Sequence, residues 1–237
     1  TYAADVPPLF ASERDDPETQ ETITGMLRDV IRFTPGNTLL FFPSYSEADR
    51  YYDRLGGNSI QHHGLGTLLR DESGTPTEAL RQQFVDSENA TLLTSLWGTL
   101  AEGVSFDGDD ARTVVVVGVP YPQLSERMEA VQDAYNRAYS DQRRTRDAGW
   151  AYAVEIPTVR KTRQALGRVI RSPEDFGVRI LADRRYTDAN MGKYSVRGSF
   201  PVEERDEVVD INPEKLKFAM LNFYADHDAY DGEQPKP

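Results

Sequence analysis

The sequence predicts a layered α/β fold, a mainly parallel sheet flanked by helices. Three observations predict it. Short apolar runs alternate along the chain with segments of helical periodicity. Residues 114–117 are four successive valines with no polar alternation, the signature of a strand covered on both faces. The length of 237 residues fits one large domain or two small ones and is ample for a buried core.

Each element follows in order. Residues 1–20 are polar and proline-containing and read as a lead-in. Ile23, Met26, Leu27, Val30 and Ile31 recur at helical spacing until Pro35-Gly36-Asn37 stops the pattern. Residues 38–42 (Thr-Leu-Leu-Phe-Phe) have the length and type of a buried strand, ended by Pro43. Ser44-Tyr45-Ser46-Glu47 has capping-box spacing and opens a helix that runs to Leu55 and stops at Gly56-Gly57. Residues 76–86 read as a helix, 90–96 as a strand, and a loop holding Glu102-Gly103 leads to a strand at 113–117. A long helix follows Pro122, another covers about 159–170, and 177–183 form a further strand. Asn212-Pro213 caps a last helix carrying Leu216, Phe218, Leu221 and Phe223. The expected organisation is a lead-in at 1–20, one domain at 21–225 and a disordered tail at 226–237. In such a sheet, ligand contacts gather where strands end and the next helices begin.

Lys and Arg number 27 against 39 Asp and Glu, a net charge of −12. Lys occurs only at 161, 193, 215, 217 and 236, so nearly all the cations are Arg. This is the composition expected of a protein from a halophile, where salt screens repulsion and carboxylates keep the surface hydrated. An ordinary acidic protein is the alternative. In either case a nucleic-acid site has to be a local basic feature. With no cysteine, disulfides, thiolate-bound zinc and a cysteine-ligated iron–sulfur cluster are excluded within these residues. The apolar runs fall far short of the roughly 20 residues a membrane helix needs. No secretory signal pattern opens the chain, so a cytoplasmic location with no membrane contact is expected. The missing initiating Met points to a piece of a longer chain.

Residues 160–171 stand out against the acidic background. Arg160, Lys161, Arg163, Arg168 and Arg171 are cations, and there is no acid among the twelve. On a helix, Gln164, Arg168 and Arg171 would share one face, with the small Gly167 allowing close approach. Guanidinium groups so placed suit a polyanion such as a triphosphate, and they could neutralise charge developing in phosphoryl transfer. A solvated basic face paired with neighbouring acids is the other reading.

Gln164-x-x-Gly167-Arg168-x-x-Arg171 resembles motif VI of superfamily 2 helicases. Extended through Ser172-Pro173-Glu174-Asp175-Phe176-Gly177 to Asp183-Arg184-Arg185-Tyr186, it is similar to the XPD and DinG branch, and the Arg-Ser-Pro-Glu-Asp run favours XPD. Residues 38–45 resemble that branch's motif IV. Trp97-Gly98 and Glu102-Gly103-Val104-Ser105-Phe106 resemble motif V, and Gly118-Val119-Pro120-Tyr121-Pro122 resembles the turn behind it. The blocks stand in the family's order.

The resemblance implies a RecA-like second motor lobe of a DNA helicase, from a halophilic archaeon given the composition. Its implied activity is ATP-driven 5′-to-3′ movement on single-stranded DNA, in DNA repair. ATP and Mg2+ would be shared with an N-terminal motor lobe of the same polypeptide. That lobe would supply the phosphate loop, the metal-binding acids and any iron–sulfur cluster. Gly192-Lys193 is no phosphate loop, because Tyr194 follows where Ser or Thr should stand. By resemblance, Arg168 and Arg171 are the arginine fingers, Gln164 and Gly167 lie beside them, and Glu102 and Gly103 form the ATP-sensing loop. Ser44 and Tyr45 lie at the start of the motif IV helix, where a hydroxyl and free N–H groups suit a DNA phosphate, and Tyr45 could pack on a sugar or base. Tyr121 is a further DNA candidate. Ser105 stands where the family commonly has Asp. Asp175, Asp183 and Arg185 also match and read as structural ion pairs. A non-catalytic binding module that kept the fold is the competing reading.

Other features carry less. His62-His63 is a poor metal clamp because neighbouring side chains point apart. Asp107-Gly108-Asp109-Asp110 lacks the spacing and terminal Glu of a calcium loop. Tyr51, Tyr52 and Trp97 could stack on bases, but such residues are more often partly buried. No metal site is expected.

Overall fold

The structure, a computed structural model, describes residues 1–10, 12–58, 64–72, 74–104, 106, 108–139, 147–170, 175–189 and 194–237, with the backbone alone at 102, 103 and 108. Seven parallel strands form one sheet in the order β3-β4-β2-β5-β6-β1-β7. These are β1 (Tyr2–Ala4), β2 (Thr38–Phe42), β3 (Leu68–Arg70), β4 (Thr91–Ser95), β5 (Thr113–Val117), β6 (Val178–Ala182) and β7 (Val209–Ile211).

Every residue of β2, β4 and β5 is buried, because both faces of the sheet are covered. Side chains alternate between the faces. Leu39, Phe41, Leu92, Val114 and Val116 join one core with Leu100, Ala165 and Leu166. Leu40, Phe42, Leu93, Val115 and Val117 join the other with Ile23, Leu27, Met220 and Tyr224. Two cores explain why the apolar runs are unbroken.

The helices are α1 (Pro17–Phe33), α2 (Tyr45–Arg54), α3 (Thr77–Val85), α4 (Thr99–Gly103), α5 (Glu126–Ala138), α6 (Ala148–Trp150), α7 (Ile156–Leu166), α8 (Val202–Asp206) and α9 (Pro213–Asp226). Asp16 caps α1 by accepting the Thr19 N–H at 2.7 Å, with Pro17 in the first turn where a missing N–H costs nothing. Asn212 caps α9 in the same way.

Several expectations are corrected. The lead-in contributes β1, seated between β6 and β7, where Ala3 and Ala4 are fully buried. Three residues are too few to show a period, so the strand was invisible; the same holds for β3 and β7. The loop expected to hold Glu102-Gly103 is the short helix α4. The helix expected over 159–170 begins earlier, through α6 and a π-helical turn (Ala151–Glu155), and ends at Leu166 with Gly167 as its cap. On α9 the buried face is Leu216, Met220 and Tyr224, whereas Phe218 is 46% exposed. Tyr224 is the reason for that rotation. Its hydroxyl donates to the Arg112 carbonyl at 2.6 Å and lies 2.7 Å from Thr113 Oγ1, fastening α9 to the start of β5. The tail expected to fray is anchored in part, since the Tyr230 hydroxyl donates to the Phe33 carbonyl at 2.8 Å. Burial pushes the Tyr230 hydroxyl up to about 12.

Candidate nucleotide and DNA interface

In a parallel sheet all strands end on the same edge, and here that edge collects the motif residues. Pro43-Ser44-Tyr45 follows β2, Asp71 follows β3, Trp97-Gly98 follows β4, Gly118-Tyr121 follows β5, and Asp183-Arg185 follows β6.

Ser44 is the cap of α2. Its Oγ accepts the Glu47 N–H at 3.2 Å and lies 2.9 Å from Ser46 Oγ. The Glu47 side chain is buried, 3.8 Å from Arg50 at its nearest oxygen, and burial raises its carboxyl above the usual range. Tyr45 is 37% exposed, yet its hydroxyl rests on Gly98, where an added Cβ would lie 2.3 Å from Oη. Burial first, then the Asp71 charge, raise the Tyr45 hydroxyl above its ordinary value, with a hydrogen bond to the Asp71 side chain adding to the shift. Trp97 is 40% exposed, and the Lys161 ammonium sits 5.2 Å from its ring centroid.

Past the end of α7, the Arg168 guanidinium donates to the Ala101 and Val104 carbonyls at the end of α4. A cation there matches the electron-rich end of a helix. Arg168 therefore does not share a helix face with Gln164: Gly167 turns the chain, and the Arg168 N–H bonds back to the Ala165 carbonyl at 3.0 Å. Gln164 is solvent-exposed one turn earlier. At Gly167 an added Cβ would meet nothing closer than the Arg163 carbonyl at 3.4 Å, so packing within this domain does not demand glycine. The two readings of the basic segment divide by residue. Arg163 pairs with Glu204, Nε to both carboxylate oxygens at 2.8 and 2.7 Å, as a solvated face would, while Arg168 turns onto α4. Arg171 and Ser105 lie outside the described residues, as do His62, His63 and Lys193, and so does the side chain of Glu102, while Gly103 is described by its backbone alone.

Tyr121 packs edge-on to Trp150 at 5.4 Å, with the Arg185 guanidinium 5.6 Å from its ring. Arg185 is 2% exposed and Asp183 fully buried, and they pair through two bonds of 2.8 and 2.6 Å. Phe10 covers the guanidinium at 4.4 Å. This pair is structural, as the sequence suggested. Among the described residues, no group of three or more His, Cys, Asp or Glu could hold a metal ion.

Gly118 makes the turn after β5 at φ +73°, where a Cβ would sit 3.2 Å from Pro43 and 3.3 Å from Leu9. Gly118→Ala is expected to cost about 2 kcal/mol through left-handed strain and crowding. Urea unfolding reads this directly, and a loss below about 0.5 kcal/mol would show that the turn relaxes freely.

The sequence model of the helicase C-terminal domain family matches residues 27–198. The chain belongs to that family. This helicase C-terminal domain is 28% identical over 186 residues to the general transcription and DNA repair factor IIH helicase subunit XPD/RAD3 of Saccharomyces cerevisiae, covering 73% of this chain and 22% of that protein. It is 27% identical over 189 residues to a regulator of telomere elongation helicase 1 homolog of Drosophila sechellia, covering 76% and 19% respectively. The helicase domain thus spans about a fifth of the length of these relatives. Its fold is that of a solved XPD helicase, with TM-score 0.67 over 89% of this chain and 34% of that chain at 20% identity. A second XPD structure gives 0.65 at 21% identity. The RecA-like fold is therefore established.

The residue that sequence reasoning missed is Asp71. It closes Leu68-Leu69-Arg70, a run too short to read as a strand, and an acid after a short apolar run is the only signal it left.

Proposed function

We propose that this domain is the second motor lobe of an ATP-dependent XPD-like DNA helicase. In this reading it works with an N-terminal motor lobe of the same polypeptide, binds single-stranded DNA, moves 5′ to 3′ and serves DNA repair in the cytoplasm. The observation that carries the reading is the docking of Arg168 on α4. That contact joins the segment matching motif VI to the segment matching motif V, so a shift of the guanidinium toward a phosphate releases the carbonyl end of α4. Arg168 and Arg171 are the arginine fingers. Gln164, Gly167, Glu102 and Gly103 border the nucleotide, and packing within the lobe does not itself demand glycine at 167, which leaves a close approach from outside the lobe as its use. Ser44, Tyr45 and Tyr121 face the DNA.

Mg2+ supplies charge neutralisation at the triphosphate when bound. In this reading its ligands belong to the first lobe, as does any iron–sulfur cluster. The surplus of acids and the scarcity of Lys support work in concentrated salt, as in a halophilic archaeon. Among the described residues no helix is long and apolar enough to cross a membrane.

The test is ATP hydrolysis in concentrated potassium chloride, with and without single-stranded DNA. These 237 residues alone are expected to show no turnover, and the same lobe joined to its first lobe should show DNA-stimulated turnover. Hydrolysis by the purified lobe alone would require a complete nucleotide site within it and would overturn this division of labour.

A further inference from the structure

Trp97 follows β4 on the sheet edge that collects the motif residues, and it is 40% exposed. Its backbone is fixed. The Trp97 N–H donates to Ser95 Oγ at 3.2 Å, and the Gly98 N–H donates to the Ser95 carbonyl at 2.9 Å. The Lys161 ammonium of α7 lies over the indole, 5.2 Å from the ring centroid, and the adjoining Arg160 and Gln164 are exposed. Tyr45, itself 37% exposed, reaches the same place, because its hydroxyl touches Gly98. The other two aromatic residues weighed with Trp97 as base stackers are occupied. Tyr51 is fully buried and stacked on Phe42, while Tyr52 donates to the Gly57 carbonyl at 3.1 Å and lies under the Arg70 guanidinium.

A partly exposed indole with a cation over it has the parts of a stacking platform for single-stranded nucleic acid. The ring offers a π-face that any base can cover, and the ammonium offers charge to the adjoining phosphate. The net charge of −12 repels a phosphate backbone, and salt weakens every contact made by Lys or Arg. A base stack does not depend on charge in this way.

We propose that Trp97, with Lys161, stacks one base of single-stranded DNA. The platform extends by one base the DNA surface already assigned to Ser44 and Tyr45. Trp97 and Gly98 lead into α4, and Arg168 holds the other end of that helix, so DNA and the nucleotide-side arginine act on opposite ends of one five-residue element. The choice of DNA as the occupant rests on the helicase reading above.

The test is made in the full-length protein, by fluorescence anisotropy of end-labelled strands. Trp97→Ala is expected to weaken binding of oligothymidine about tenfold, the worth of one stacked base. Binding of an abasic strand of the same length should change by less than about twofold, because that strand has the phosphates but nothing to stack. Trp97→Phe should keep oligothymidine binding within about threefold of the unmutated value. Lys161→Gln should lower the slope of log Kd against log salt by about 0.7 for either strand, and an unchanged slope would remove Lys161 from the platform. Equal losses for the two strands in Trp97→Ala, or a loss below about twofold for oligothymidine, would overturn the proposal. If the alanine variant does not fold, Trp97→Leu takes its place with the same outcomes. A second readout needs no such variant to bind. In protein carrying 5-fluorotryptophan, the 19F resonance missing from Trp97→Phe should move on adding oligothymidine and stay in place with the abasic strand. A resonance that moves with ATP and not with oligothymidine overturns DNA as the occupant. Unmutated protein that binds neither strand overturns the helicase reading itself.

Discussion

Replacing Arg168 by Ala in the complete helicase is expected to lower kcat for ATP hydrolysis by about a thousandfold, the usual worth of an arginine finger. KM for ATP should change by less than about fivefold, because on the proposed finger role the guanidinium acts on charge that appears in the transition state rather than on the bound nucleotide. Arg168→Lys should rescue little. A lysine ammonium has the charge but not the planar fork that reaches two oxygens, here the Ala101 and Val104 carbonyls and, on the proposed finger role, two phosphate oxygens. Steady-state kinetics with saturating DNA separates the outcomes. Turnover within tenfold of normal in an Arg168→Ala, Arg171→Ala double variant would remove both residues from catalysis, and Arg168 would then stand only as a clamp on α4.

The largest expected effect on stability is at Asp183. Removing its carboxylate by Asp183→Ala leaves the Arg185 guanidinium charged and buried between Phe10 and Tyr121, having lost both bonds of the fork. Such a change costs about 3–5 kcal/mol, against about 1 kcal/mol or less for a solvent-exposed pair. The exposed Arg163–Glu204 pair is the internal control, and Glu204→Ala should fall in the smaller range. Denaturant unfolding of both variants decides it. Equal losses would mean that water reaches Arg185 freely, which its burial argues against.

Much of the fold was legible because its central strands must be apolar on both faces. Residues 38–42 and 113–117 announced themselves with the boundaries the structure gives them, and Ser44, Asn212 and the glycines after α2 marked helix ends through local hydrogen-bond chemistry. The strands β1, β3 and β7 were not legible. At three residues each, their pairing energy comes from neighbours distant in sequence, and no local pattern records it.

The candidate site divides in the same way. The sequence by itself determined which residue types gather after which strands, and therefore the family, because that order is written in the chain and each motif is local. Only the tertiary structure decided how these residues are used. It ended α7 at Leu166 and turned Arg168 onto α4, it laid the Tyr45 hydroxyl on Gly98 beside Asp71, and it buried Arg185 between two rings. The physical reason is that hydrogen bonds and ring contacts depend on distances of a few ångströms between residues far apart in the chain, 64 positions for Arg168 and Val104. Those distances are set when seven strands pack in an order that differs from their order in the chain.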